Sequence, residues 1–305
     1  MAVSAGQFFY VRDFVAYIEQ YLAEVHLAAI VSLEGVPLPL HQVQKRERAP
    51  PFHPLAPLAQ PLFLDVGLCR ASYLMDTSHS PICRVCPWYR AHLTICGEAP
   101  SQAVAIQCWD SLEQNYGCAP CVTMSMLGDK LIPAACETDI AGAVSMYALT
   151  LASGKASALL DWNNNFAEDR NKCVCTHCGN YPKSFVQNDL KLGPLGVLGR
   201  TLGKINTFGA VYAKVTSGPF TFFRISTDDP KGCIKAYLGK GEITDDPYGM
   251  DGCIAVTKVD NLQQLMKYIC KNGFEHHVAM CRTDVVDILN EAIETYLGWN
   301  LYVHE

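Results

Sequence analysis

Apolar and polar positions change rhythm several times along the chain. Phe14, Ile18, Tyr21, Leu22 and Val25 recur at helical spacing within residues 8–33, which predicts one amphipathic helix. Residues 36–61 hold seven prolines and a small basic cluster, so they predict an extended arm rather than a continuous helix or a central strand. Residues 62–98 show no clear period. Regular patterning begins at AVAIQC, a short buried strand, followed by WDSLEQNYG, a helix stopped by Gly117. CETDIAGAVSMYALTLASG, residues 136–154, has an apolar face through Ile140, Val144, Tyr147 and Leu151 and a terminal glycine. It predicts a helix with an acidic start. KASALLDWNNNF follows as a buried strand running into a polar turn, with Asp161 at or just beyond the strand's C-terminal end.

Beyond Gly193 the texture turns to strands. GAVYAKV, GPFTFFRIST, CIKAYLGKGEI and GCIAVTKV are short runs broken by Gly, Pro and Asp, as in an antiparallel sheet or barrel. NLQQLMKYICKNG, capped by Asn261 or Asp260 and stopped at Gly273, and TDVVDILNEAIETYLG are predicted helices. The fold class is therefore α/β (α+β): the end of a Rossmann-like α/β domain, then a β-rich antiparallel sheet or barrel with flanking helices. Three segments follow: an atypical N-terminal segment 1–98, the C-terminal part of an α/β domain 99–156, and a β-rich domain 157–305.

Composition narrows the classes. Half of the 305 residues are hydrophobic, 18% are charged and the formal net charge is −6, which excludes overall disorder and removes the basic footprint of a nucleic-acid binder. No apolar run is long enough to span a bilayer, and the N-terminus lacks the pattern of a secretion signal, so a cytoplasmic protein is expected. Fifteen cysteines include three CxxC spacings, Cys83/Cys86, Cys118/Cys121 and Cys175/Cys178. They read as a reduced thiol set, with a zinc or iron–sulfur site as the competing reading.

Four places concentrate proton-transferring or metal-ligating side chains: Glu137, Asp161, His177 and the His276/His277 doublet. Glu137 in a first helical turn and Asp161 in a turn each have an ordinary structural explanation. His177 reads as a zinc ligand or a loop residue. In a strand the adjacent rings of His276 and His277 point oppositely, so one faces a site. Two carboxylates with two histidine positions suit a divalent metal on oxygen and nitrogen ligands.

The runs CETDIAGAVSMYALTLASG, LLDWNNNF, HCGNYPKSF, GPFTFFRISTDD and YICKNGFEHHVAM, in this order across residues 101–300, resemble the L-fucose and L-arabinose isomerase family. The resemblance implies a divalent metal, typically manganese, held by Glu137, Asp161 and His277, with His276 as the alternative last ligand and His177 as a further one. It implies an aldose–ketose isomerisation through an enediol, with Glu137 and Asp161 sharing acid–base duty. Trp162, Asn163, Asn164 and His177 are then candidates to contact sugar hydroxyls, while Lys183 and Arg224 are read as surface residues in preference to neutralising the enediolate or orienting ligands.

Family members are longer, and a neighbouring subunit helps to form their sugar pocket. The expected partners are therefore a small sugar and a second copy or a partner subunit that completes the pocket. The alternative function is a catalytically incomplete sugar-binding or assembly subunit that keeps the isomerase C-terminal fold.

Overall fold

In a computed structural model of the protein, residues 102–108, 110–186, 190–247, 249 and 252–305 are described. The predicted N-terminal helix, the proline-rich arm and Cys83/Cys86 lie outside them. Among the described residues, no helix is long and apolar enough to cross a membrane.

The first described elements are short. Strand β1 (Val104–Ala105) pairs in parallel with β2 (Ala134–Ala135), and α1 (Ser111–Tyr116) and α2 (Cys121–Asp129) lie between them in sequence. The ladder continues past the strands, since Thr138 N–H donates to Ile106 O at 3.0 Å. Gly117 ends α1 in the left-handed conformation, as its sequence predicts. A parallel pair joined through helices is the connection an α/β unit uses. The expectation of a Rossmann-like domain before this pair concerns residues outside those described.

Helix α3 spans Ile140–Ser153, capped by Asp139 at its start and by left-handed Gly154 at its end. Its boundary corrects the sequence reading. Glu137 is not in the first turn; both Glu137 and Thr138 are left-handed, with φ of 60° and 56°. Two successive residues with side chains in that region cost roughly 1–2 kcal/mol each, so other contacts must hold them there.

The remainder is a barrel. Six strands close on themselves: β8 (Cys233–Ile243), β7 (Gly218–Asp228), β10 (His277–Cys281), β3 (Ser157–Asn165), β4 (Lys172–His177) and β9 (Cys253–Lys258), which returns to β8. All six of these pairings are antiparallel. β6 (Phe208–Lys214) adds to β9 in parallel, β5 (Lys191–Pro194) adds to β6, and β11 (Asn300–Val303) adds to β8 in parallel. Closure removes the exposed edges an open sheet would leave. The predicted β-rich domain is this barrel with its flanking helices.

Period-two alternation fills it. Ala158, Leu160, Phe220, Phe222, Tyr237, Val278 and Met280 share one buried apolar cluster. Leu159, on the opposite face of β3, comes close to Gly142 of α3. Ser145 of α3 accepts the Ile225 N–H at 2.9 Å, which anchors the helix on β7. After the single turn of α4 (Gly196–Gly199), helix α5 (Leu262–Lys271) buries Leu262, Leu265 and Ile269. Its N-cap is Asn261, but the side chain makes no capping bond. The last predicted helix is α6 (Val286–Asn290), which runs into a wider-wound turn over Glu291–Tyr296. The closing strand β11 has no counterpart in the sequence reading.

Candidate metal centre

The site forms where the start of α3 meets two neighbouring strands. Asp161 and His277 are direct cross-strand partners on β3 and β10, so the register of that pair brings carboxylate and imidazole together. The placement of Asp161 corrects the sequence reading. It sits in the middle of a nine-residue strand, because Trp162–Asn165 continue as strand instead of turning.

Glu137 arrives from the left-handed corner between β2 and α3. Its own N–H donates to Cys108 Sγ at 3.3 Å, and the Asp139 N–H donates to Cys136 O at 3.0 Å. With the Thr138 bond to Ile106, these contacts hold the strained pair. Glu137 Oε2 lies 3.7 Å and Asp161 Oδ1 3.3 Å from His277 Nε2.

The choice between the two adjacent histidines is decided by burial and hydrogen bonding. His277 is 5% exposed and its Nδ1 lies 2.8 Å from Asp139 Oδ2. An ionised carboxylate only accepts, so Nδ1 carries the proton and the Nε2 lone pair is left free. His276 is exposed, with Nε2 3.5 Å from Asp161 Oδ1. His177 takes the opposite tautomer. The Cys178 N–H donates to its Nδ1 at 2.8 Å, so the proton of the neutral ring is on Nε2. Its ring centre lies 5.2 Å from that of His277. The sequence left His177 between ligand and loop; it is the buried last residue of β4.

Asp139 was missed by sequence reasoning although it organises the centre. It accepts from Gly142 N at 2.8 Å, from both terminal nitrogens of Arg224, and from His277. Burial pushes its carboxyl up, but the bonds from His277 and Arg224 outweigh that and hold it well below the usual carboxylate range. Arg224 also bonds to Glu275, whose other oxygen accepts from Ser226 at 2.9 Å. Arg224 is 1% exposed, which overturns its reading as a surface residue. A lone arginine inside an apolar strand run is the signal that could have revealed the ion pair. Lys183 is exposed, as read.

The remaining candidates sit apart. Trp162 donates its indole N–H to Tyr237 Oη at 3.0 Å and packs against the barrel cluster. Asn163 and Asn164 are exposed at the end of β3.

The donor set was tested against a divalent ion. Asp161 Oδ1, His177 Nε2 and His277 Nε2 are buried without hydrogen-bond partners. Folded proteins satisfy most of their buried polar atoms, and what sets these three orphans apart from others in the structure is that they lie close together. Glu137, His177 and His277 offer ligand atoms within 4.8 Å of one another, as do Asp161, His276 and His277. The two groups share His277, whose free Nε2 lone pair suits a metal, and the carboxylates of Glu137 and Asp161 approach it from two sides; His177 presents a donor beside them.

The described residues define a closed antiparallel barrel with flanking helices that brings Asp161 and His277 together beside Glu137. Residues 175–304 match the family described as L-fucose isomerase, C-terminal domain. The chain is 31% identical over 191 residues to the sulfoquinovose isomerase of Alkalicoccus urumqiensis, covering 62% of this chain and 41% of that protein. Sulfoquinovose isomerases of Priestia aryabhattai and Clostridium sp. (strain MSTE9) match at 31% and 30% identity over 62% and 61% of this chain, again with 41% of each relative covered. The chain thus spans about two-fifths of the length of the curated relatives it matches.

Proposed function

We propose that the protein is an aldose–ketose isomerase acting through an enediol intermediate in carbohydrate metabolism, with Mn2+ or another divalent metal held by Glu137, Asp161 and His277. The observation that carries this reading is the convergence of the orphaned Asp161 Oδ1 and His277 Nε2 beside Glu137.

Isomerisation moves a proton between adjacent carbons while the carbonyl and hydroxyl exchange roles. A divalent ion, when bound, supplies Lewis-acid stabilisation to the charge that develops on the two sugar oxygens. Glu137 and Asp161 side chains are 34% and 29% exposed, so an oxygen of each stays within reach of a sugar to take and return a proton. His277 is held by Asp139 in the tautomer that presents a lone pair. His177 Nε2–H is placed to donate to a substrate oxygen as negative charge builds there. Asn163 and Asn164 stand on the exposed end of β3, where they are available to sugar hydroxyls.

The substrate is L-fucose, L-arabinose or a related aldose, and the names of the relatives add sulfoquinovose. The test is ketose formation from these sugars and from D-arabinose, with manganese, with chelator, and with Glu137→Gln. Manganese-dependent turnover that falls at least about 100-fold in the variant is the expected result. Full activity in chelator, or in Glu137→Gln, overturns the assignment.

A second reading draws on the length difference: a catalytically incomplete sugar-binding or assembly subunit whose pocket is completed by another copy or a fuller homologue. Manganese binding through the same residues with no turnover alone, and turnover restored by a partner, would select it.

A further inference from the structure

Cys121 and Cys178, one from each CxxC spacing within the described residues, contact cysteines outside their own spacing. Cys175 turns into the barrel wall beside Cys173, and both sulfurs approach Thr257 Oγ1. One cysteine of each spacing, Cys121 and Cys178, instead meets Cys108 and Cys136. These four come from separate places: Cys108 follows β1, Cys121 opens α2, Cys136 follows β2 and Cys178 follows β4.

Their sulfurs form a continuous chain. Cys108 to Cys136 is 2.7 Å, Cys136 to Cys178 is 3.5 Å, and Cys178 to Cys121 is 3.7 Å. Cys108, Cys121 and Cys136 are at most 3% exposed. A cysteine that only packs behaves as a small hydrophobe and has no need of other sulfurs. A tetrahedral ion with metal–sulfur bonds of about 2.3 Å sets its ligands about 3.8 Å apart. Two of the three contacts lie near that spacing; the row must fold, and its shortest contact open by about 1 Å, for all four sulfurs to surround one ion, since no three of them lie within 4.8 Å of one another. The Glu137 N–H on Cys108 Sγ is a bond that a coordinated thiolate accepts readily. Donor atoms of Cys136, His177 and Cys178 fall within 4.8 Å of one another.

We propose that Cys108, Cys121, Cys136 and Cys178 form a second metal site, selective for a thiophilic divalent cation of the zinc class. It shares no residue with the oxygen- and nitrogen-lined centre. Binding replaces the thiol protons, which pass to solvent, with metal–sulfur bonds. Cys136 precedes Glu137 and Cys178 follows His177 in sequence, so the ion fixes the two peptide segments that present Glu137 and His177. Its role is structural support of the neighbouring centre.

The experiment is cobalt(II) titration of the reduced protein without oxygen, followed by near-ultraviolet absorption. A single equivalent is expected to give an intense sulfur-to-cobalt charge-transfer band that zinc bleaches and an equal concentration of manganese does not. Cys136→Ser and Cys178→Ser each lose the band; His277→Ala keeps it while losing manganese binding. These readouts separate this site from the isomerase reading, since either can fail alone. If a serine variant does not fold, wild-type protein is alkylated with and without zinc and the labelled cysteines are mapped by mass spectrometry; protection at the four positions is expected. No band in reduced wild type, a band that survives both serine substitutions, or unchanged labelling at these cysteines overturns the proposal.

Discussion

Asp139 Oδ2 lies 2.8 Å from His277 Nδ1, and that bond determines which nitrogen of the ring faces Glu137 and Asp161. The same carboxylate caps α3 and neutralises buried Arg224, so helix start, ion pair and the His277 ring share one side chain.

Asp139→Asn keeps the size but removes the charge. Arg224 is then left without its main counter-charge, and a broken buried pair costs about 3–5 kcal/mol. Denaturant unfolding should show a loss approaching that range. Manganese affinity should fall about 10- to 100-fold through the reoriented His277. Unchanged affinity by calorimetry would show that the ring needs no such support.

The histidine doublet should divide cleanly. His277→Ala is expected to abolish manganese binding, whereas His276→Ala, with an exposed ring, should change it by no more than a few-fold. Equilibrium dialysis of both variants decides the matter. The reverse result would make His276 the ligand.

Gly142 sits beneath the cap. A Cβ added there would lie 2.5 Å from Asp139 Oδ2 and 3.0 Å from Leu159 Cδ1. Gly142→Ala should therefore destabilise the protein by about 1–3 kcal/mol although alanine is the better helix former. It should weaken manganese binding as well, because the displaced group is the carboxylate behind His277. Thermal unfolding and metal titration of this variant check both effects.

Glu113 supplies a pH dependence. It is 2% exposed, its Oε2 has no hydrogen-bond partner, and burial pushes its carboxyl up from 4.5 to about 7. As pH rises from about 4.5 to about 7 the unfolded chain gives up this proton while the folded protein keeps it, so unfolding becomes easier. The loss reaches about 3 kcal/mol for the metal-free protein and stays constant above. Glu113→Gln should remove that slope. A wild-type stability curve flat across this interval in urea would refute the assignment.

Much of the barrel was legible in the sequence. GPFTFFRIST and CIKAYLGKGEI show strand alternation bounded by Gly and Asp, and they form the long β7–β8 pair. The elements misread were those whose conformation is imposed from outside. Glu137 looked helical because good helix formers surround it; bonds to Ile106, Cys108 and Cys136 from other segments hold its corner left-handed. Asp161 looked like a turn residue because three asparagines follow, yet pairing with β4 and β10 keeps the strand extended. Glu137, Asp161 and His277 stood out because carboxylates and imidazoles are scarce in apolar runs. Asp139 did not, since its partnership with Arg224 spans 85 residues and only the arginine, lone in an apolar run, left a local sign of it. The sulfur cluster was hidden for the same reason: the visible spacing was CxxC, while the contacts join cysteines of different spacings.

The direct opposition of His277 and Asp161 across β10 and β3 has a consequence for assembly. In a strand pair, a shift by one residue sends every side chain to the other face. A barrel closed one position out of step would turn Asp161 or His277 away from Glu137 while preserving nearly all its backbone pairing. Ion capture would discriminate between these otherwise similar products, so the metal would act as a selector for the correctly threaded barrel during folding.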